Sequence, residues 1–293
     1  MNNVRKAACI GIAIAFTTLV FGCVKDSRRA HKVMQSAMPC SPCEALDGFV
    51  QPNLIDDDIR KMVGKYDGGS GEENVSIQKA RGVTETYLWP EFIDGGNCPE
   101  IDSEKWAIDY SHKREGDALH KGIDIPQPRG TPIRAVAEGV VIGKFPNRIN
   151  RKGIEIVLRH KPEQTGLPFW TYSQYTHLQE MSPLSIGEKV KMGDEIGLTG
   201  NTGKMGKKVR RDAVHFAILY SEFPEWSNDG LVITPKEGFF MDPNAFYRLE
   251  PPYDSHSLLK LPRDQKQVPV PYMKADGTFV PANTKRIWPY VCK

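Results

Sequence analysis

Apolar residues are distributed along this chain in three patterns. From Ala7 to Gly22 they form a near-continuous run, preceded by Arg5 and Lys6 and followed by Cys23. A short basic start, an apolar stretch of this length and a small residue at its end read as a secretory signal over residues 1–22. The run falls short of the roughly 20 residues needed to cross a bilayer. In a second pattern, Ile55, Ile59, Met62 and Val63 recur on one face and predict a helix over Ile55–Tyr66. Its acidic residues lie toward the N-terminal end and its lysines toward the other, which suits the helix dipole. From about residue 102 to 249 the pattern shortens. The runs 133–142, 154–159, 169–175 and 213–220 are rich in β-branched and aromatic residues and predict strands. Gly187, Gly193, Gly197, Gly200 and Gly203 punctuate this region at spacings that suit tight turns. With no internal repeat and no long amphipathic helix, the expected fold is mostly β: a small antiparallel β-sheet domain with a groove, flanked by irregular N- and C-terminal extensions.

Four segments follow: residues 1–22 as signal, 23–101 as a spacer or cover, 102–249 as the main domain, and 250–293 as a proline-rich extension. The second holds Pro39, Pro42, Pro52 and the flexible run Gly68-Gly69-Ser70-Gly71, and no catalytic motif. The last carries seven prolines, among them Pro251, Pro252, Pro269 and Pro289. It reads either as a wrap over the surface whose end Cys292 pins by a disulfide, or as a loose tail.

Composition changes this picture little. At 293 residues, 40% hydrophobic and 26% charged, the chain can bury a core. Its formal charge of +3, from 39 basic and 36 acidic residues, argues against nucleic acid as a partner. Loss of Arg5 and Lys6 with the signal takes that +3 to +1. The cysteines beyond Cys23 are Cys40, Cys43, Cys98 and Cys292. In an exported chain they read as two disulfides, with three pairings open. Cys40-Ser41-Pro42-Cys43 lacks the strand-to-helix surroundings of a redox pair, and His31 alone does not complete a zinc knuckle there.

The candidate chemistry lies in His120-Lys121-Gly122-Ile123-Asp124, in Tyr175-Thr176-His177-Leu178 and in Val214-His215-Phe216. Each histidine alone is unremarkable in a turn or strand. Together, His120, Asp124 and His215 offer two imidazoles and a carboxylate, the donor set of a catalytic zinc site with a fourth position left for water. Gly122 lets the chain bend so that both flanking ligands converge. In a strand, Ala213, His215, Ala217 and Leu219 share one face, while Val214, Phe216, Ile218 and Tyr220 share the other and face a core. The two alanines beside His215 then suit a groove floor with room for an extended substrate.

The stretches 120–141, 172–178, 186–204 and 214–218 resemble the lysostaphin-type (LytM-like) zinc metalloendopeptidase family. The resemblance covers a little under half the chain. It implies a metallopeptidase fold, Zn2+ held by His120, Asp124 and His215, and His177 as a catalytic residue. Arg211 and Tyr175 are candidate contacts to the oxyanion or substrate. The implied reaction is cleavage of stem or cross-bridge peptides of peptidoglycan. The chain departs from the family at Ala213, which stands where the family carries a second catalytic histidine. It also carries a longer, basic connection over 204–212. Arg211 from that connection, or His112, is a candidate replacement. The alternative implied by the family is a non-catalytic scaffold that binds peptidoglycan or activates a cell-wall amidase. Val20-Phe21-Gly22-Cys23 resembles a bacterial lipobox, with Phe21 bulkier than usual, and implies that Cys23 is acylated. Val24 after the cysteine, by resemblance to enterobacterial sorting, implies a membrane tether at the periplasmic face of the outer membrane.

Overall fold

The apolar runs 154–159, 169–175 and 213–220 are strands of one antiparallel sheet, and the run 133–142 is split between that sheet and a separate two-stranded one. In this computed structural model the described residues are 40–56, 58–59, 71–101, 110–112, 119–146, 152–203 and 211–293. The signal segment, Cys23, His31, most of the expected helix over 55–66 and the core of the basic connection lie outside them. The strands in chain order begin with β1 (Trp89–Phe92), β2 (Ile123–Pro126), β3 (Pro132–Arg134) and β4 (Gly139–Phe145). They continue with β5 (Glu155–His160), β6 (Trp170–Thr176), β7 (Lys189–Val190), β8 (Glu195–Leu198) and β9 (Ala213–Ser221). The central sheet runs β12-β9-β6-β5-β4-β7, with β12 (Phe239–Met241) and β2 both pairing with β9. The expected run 133–142 is two strands, not one. Between them the Ala135 amide bonds to Asp194 and its carbonyl to Gly193, while the Val136 carbonyl receives the Ile287 amide. Those partners turn the backbone away before β4 begins.

The sheet is buried on both faces; all six residues of β5 are inaccessible. One face carries Val157, Arg159, Tyr172 and Gln174. The hairpin β10 (Trp226–Asn228) and β11 (Ile233–Pro235) lies over it, with Ile233 against Gly143. The segment 46–50 docks beside β10: the Gly48 carbonyl receives the Trp226 amide at 2.9 Å, and Val50 donates to the Trp226 carbonyl at 2.8 Å. The Trp226 indole donates to the Asp47 carbonyl, and Phe49 meets its ring edge-on at 5.4 Å. This part of the N-terminal extension is therefore a cover, held by backbone bonds and aromatic burial. The exposed Asp47 ion pairs with Arg159 and Lys161 add little. A helix missed in the sequence, α1 (Gly71–Ala80), begins inside the expected flexible glycine run.

The other face is covered by the C-terminal extension, which is ordered rather than irregular. It contains β13 (Gln267–Val270), β14 (Tyr272–Lys274), β15 (Phe279–Val280) and β16 (Val291–Cys292). β13 pairs in parallel with β1, and β14 lies between β15 and β16. Val268 and Val270 are buried while Pro269 is exposed, so this proline sits where a strand of a two-stranded ladder tolerates it. Trp288 is fully buried and donates to the Pro99 carbonyl at 2.6 Å. Cys98 and Cys292 form one disulfide, and Cys40 and Cys43 the other. No helix among the described residues is long and apolar enough to cross a membrane.

Candidate metal centre

Strand pairing brings the three expected ligands together. β2 runs antiparallel to β9 with Asp124 directly opposite His215, and on the other side of β9 Thr176 of β6 is opposite His215. His120 stands four residues before Asp124, just ahead of β2. Between them, a Cβ on Gly122 would lie 2.3 Å from the Phe216 carbonyl oxygen. Glycine is needed there for the close approach of two backbones. The His120 backbone is itself clamped. Its amide donates to the His112 carbonyl at 2.8 Å and its carbonyl accepts from Ser111 at 2.7 Å. The preceding Leu119 amide donates to the Gln78 side chain of α1.

The donor atoms converge. His120 Nε2 is 3.0 Å from His215 Nδ1, His215 Nδ1 is 3.0 Å from Asp124 Oδ1, and His120 Nε2 is 3.5 Å from Asp124 Oδ1. Tetrahedral bonds of ~2.0–2.1 Å place their donor atoms about 3.3–3.4 Å apart, so the donor set fits a zinc ion with little adjustment. His120, Asp124 and His215 are also the one group of three such residues among the described residues whose ligand atoms cluster in this way. Asp124 is fully buried. Burial alone would raise its carboxyl; the charge and hydrogen bonds of His120, and then of His215, outweigh burial and hold it well below the usual range. It is therefore an ionised donor. His215 keeps 16% side-chain exposure, so the site opens on its side.

His177 ends β6 on a left-handed backbone, with φ 73°. Its Nδ1 donates to the Lys152 carbonyl at 2.7 Å, which in the neutral ring leaves Nε2 as the basic nitrogen. Its ring centroid lies 5.7 Å from that of His215. The turn is fixed by a residue that sequence reasoning passed over. Thr202 Oγ1 accepts the Ile154 amide at 3.0 Å and donates to the Leu178 carbonyl at 2.8 Å. The only sequence signal for it was the glycine-flanked Gly200-Asn201-Thr202-Gly203.

The remaining candidates fall elsewhere. Tyr175 is one residue out of phase with Thr176, so alternation turns it to the opposite face from His215. There its ring packs tilted against Phe216 at 5.4 Å and its hydroxyl accepts the Val136 amide at 3.1 Å. Burial pushes its phenol well up. It is a core residue, and its expected contact with the oxyanion or substrate is withdrawn. β9 begins at Ala213, so Arg211 precedes the strand and is exposed. His112 is exposed and reaches the site through its backbone carbonyl. Ala213 and Ala217 are each 1% exposed, so they are covered instead of forming an open groove floor. The Ala213 amide donates to the Gly200 carbonyl at 3.1 Å.

A mostly β domain with Asp124 on β2, His215 on β9 and His120 just ahead of β2 defines a class of protein that could hold a metal ion between neighbouring strands. Residues 118–225 match the model of Peptidase family M23. Over 87 residues it is 38% identical to the peptidoglycan DD-endopeptidase ShyC of Vibrio cholerae, covering 29% of this chain and 18% of that protein. Over 134 residues it is 29% identical to the uncharacterized lipoprotein YgeR of Escherichia coli, covering 46% of this chain and 42% of that protein. Among solved structures, an alanine-to-histidine variant of the catalytic domain of the prophage-encoded M23 protein EnpA from Enterococcus faecalis is 26% identical. It covers 45% of this chain and 85% of its own, with a TM-score of 0.32. The chain spans less than half the length of these curated relatives.

Proposed function

We propose that this protein is a zinc-dependent endopeptidase of peptidoglycan stem or cross-bridge peptides, tethered in the cell envelope through an acylated Cys23 at the periplasmic face of the outer membrane. The observation that carries the reading is the convergence of His120, Asp124 and His215 beside His177, whose Nδ1 is held on the Lys152 carbonyl. A bound zinc ion would supply Lewis acidity and an activated water. The chain's own residues supply the rest. Asp124, ionised and buried, completes the donor set with His120 and His215. His177 keeps Nδ1 on the Lys152 carbonyl and uses Nε2 to take a proton from the nucleophile and return it to the leaving amine. Residues 102–249 are the peptidase domain in this reading, with 23–101 and 250–293 as its cover.

Zinc content and digestion of purified cross-linked peptidoglycan test the reading together. Wild type should hold one zinc ion and digest the polymer. His120→Ala and His215→Ala should lose the metal, and Asp124→Ala should lose both metal and activity. Labelling with a fatty-acid analogue tests the anchor: equal incorporation in Cys23→Ser would place it elsewhere.

One observation favours a second reading. A buried methyl group at Ala213 occupies the position of the family's other catalytic histidine, and loss of one acid–base group lowers rates by about 10²- to 10⁴-fold. The protein is then a scaffold that binds peptidoglycan or activates a cell-wall amidase. Ala213→His separates the two. A gain of about 10- to 100-fold over wild type supports a weak enzyme. Wild type and Ala213→His both equal to Asp124→Ala supports the scaffold.

A further inference from the structure

The N- and C-terminal extensions meet along the β1–β13 ladder, where a cleft of about 490 Å³ is lined by Tyr87, Trp89, Leu261, Arg263 and Lys266. None of these residues belongs to the segment matched to the peptidase family. Two aromatic rings stand open on it: Tyr87 is 63% exposed and Trp89 37%. Tyr87 is held outward on a left-handed backbone, φ 58°, a conformation costly to any residue but glycine or asparagine. The Glu85 carboxylate fixes it by accepting the Thr86 and Tyr87 amides, both at 3.1 Å.

The charges of the lining are one-sided. Lys266 is 6% exposed, and its ammonium donates to the Thr86 carbonyl at 2.9 Å and the Leu259 carbonyl at 3.0 Å, 5.1 Å from the Tyr87 ring centroid. An ammonium has three donors, and no carboxylate among the described residues pairs with this one. A buried cation without a counter-charge is stabilised by an anion that reaches it. Arg263 is exposed at the same cleft with no ion pair to a described residue. Asp264, next to it in the chain, does not line the cleft.

We propose that this cleft binds a carboxylate-bearing saccharide, a muropeptide fragment of the cell wall. The C–H face of a pyranose lies against Trp89 and Tyr87, and a carboxylate meets Lys266 and Arg263. A neutral sugar satisfies only the rings and a bare phosphate only the cations. The choice of a cell-wall ligand rests on the function proposed above. The extensions then form a holding site for substrate, built outside the peptidase domain.

The test uses the full-length mature protein carrying Asp124→Ala, so that nothing is turned over, with a disaccharide-tetrapeptide muropeptide as probe. Calorimetry should show binding, with or without a zinc chelator, and quenching of tryptophan fluorescence should track it. Trp89→Ala and Arg263→Glu should each weaken binding at least tenfold. Arg263 is exposed, so its replacement tests the site without disturbing packing. Neutral chito-tetraose should bind at least tenfold more weakly than the muropeptide. Equal affinity in Arg263→Glu, equal affinity for the neutral sugar, or binding of inorganic phosphate or anionic phospholipid vesicles in place of the muropeptide each overturns the proposal. Digestion by the zinc-loaded wild type is scored separately. Failure to digest removes the endopeptidase reading and leaves the cleft result standing, while digestion without cleft binding removes only the cleft.

Discussion

Gly122→Ala should dismantle the metal centre without touching a ligand. The added Cβ would stand 2.3 Å from the Phe216 carbonyl oxygen and 3.0 Å from the Ala217 Cβ. Ordinary carbon–oxygen contacts are about 3.3 Å or longer, so β2 must withdraw from β9 by about 1 Å. The obstructing atom is backbone in the middle of a ladder, and it cannot swing aside. The candidate ligands Asp124 and His215 sit opposite one another on those two strands, with donor atoms 3.0 Å apart. Metal sites tolerate distance errors of only about 0.2 Å. The expected overpacking cost is about 1–3 kcal/mol in the metal-free protein, and zinc affinity should fall at least 10- to 100-fold.

Zinc titration followed by thermal unfolding reads both effects. At a free zinc concentration 100 times its dissociation constant, wild type gains about 2.7 kcal/mol; a 100-fold weaker variant gains only about 0.4 kcal/mol. Gly143→Ala is the matched control for overpacking alone, because its Cβ would meet side-chain atoms of Ile233 at 2.9 and 3.0 Å and the Phe145 ring at 3.0 Å, and no backbone of β2 or β9. It should keep the full zinc response. If Gly122→Ala binds zinc and unfolds like wild type, β2 and β9 are not packed as described, and the argument for their convergence fails with it.

Three further outcomes follow from buried or bridging groups. His160 is fully buried, and burial lowers its pKa from 6.5 to about 4, against an opposing hydrogen bond to the Glu138 carbonyl. The unfolded chain therefore takes the proton first, so stability should be complete above about pH 6.5 and fall by about 3 kcal/mol as the pH drops to about 4; urea midpoints across that range should flatten in His160→Gln, and an equal slope in both proteins contradicts the assignment. The Cys98–Cys292 bridge closes a loop with a sequence separation of 194, worth about 5 kcal/mol in the chain-entropy model, so Cys292→Ser should lower the unfolding free energy by several kcal/mol while zinc content at 25 °C is retained. Thr202→Val removes both hydrogen bonds that fix the His177 turn and should cost about 1–3 kcal/mol in urea; it should reduce peptidoglycan digestion while zinc stoichiometry stays at the wild-type value, and parallel loss of zinc would show that Thr202 supports the ligands instead.

What was legible in the sequence depended on whether the deciding interaction was local. The strands over 154–159, 169–175 and 213–220 were readable because side-chain alternation and β-branched composition are local properties, and β5, β6 and β9 follow them within a residue or so. The candidate trio was readable because the residue types announce their chemistry, and strand pairing brings the three donor atoms together. The C-terminal extension was not, since its order comes from distant partners: Trp288 to Pro99, Ile287 to Val136, Tyr290 to Thr199. A wrap pinned by Cys292 and a loose tail both fitted its seven prolines, and the contacts that decide for the wrap lie far away in sequence. Tyr175 failed for a related reason. It precedes His177 by two residues, which on a regular strand share a face, but His177 lies past the end of β6 on a left-handed backbone, φ 73°, and that break in alternation separates the two side chains.

Ala213 shows where local reading stops. Alternation correctly sets it on the His215 side of β9, yet only the fold shows that its methyl is 1% exposed, with its amide held by Gly200. The space expected beside His215 is therefore already filled. An imidazole at 213 must displace neighbours, at about 1–3 kcal/mol, whereas the acid–base group it would supply under the proposed function is worth roughly 10²- to 10⁴-fold, or about 3–5 kcal/mol. The second range exceeds the first, so the gain expected of Ala213→His survives in reduced size and should come with a lower unfolding temperature. The cover that makes this position costly to refill belongs to the same sheet packing that brings Asp124, His120 and His215 together. An effect of residue 213 on activity and the donor geometry at 120, 124 and 215 are thus separable by experiment within one sheet.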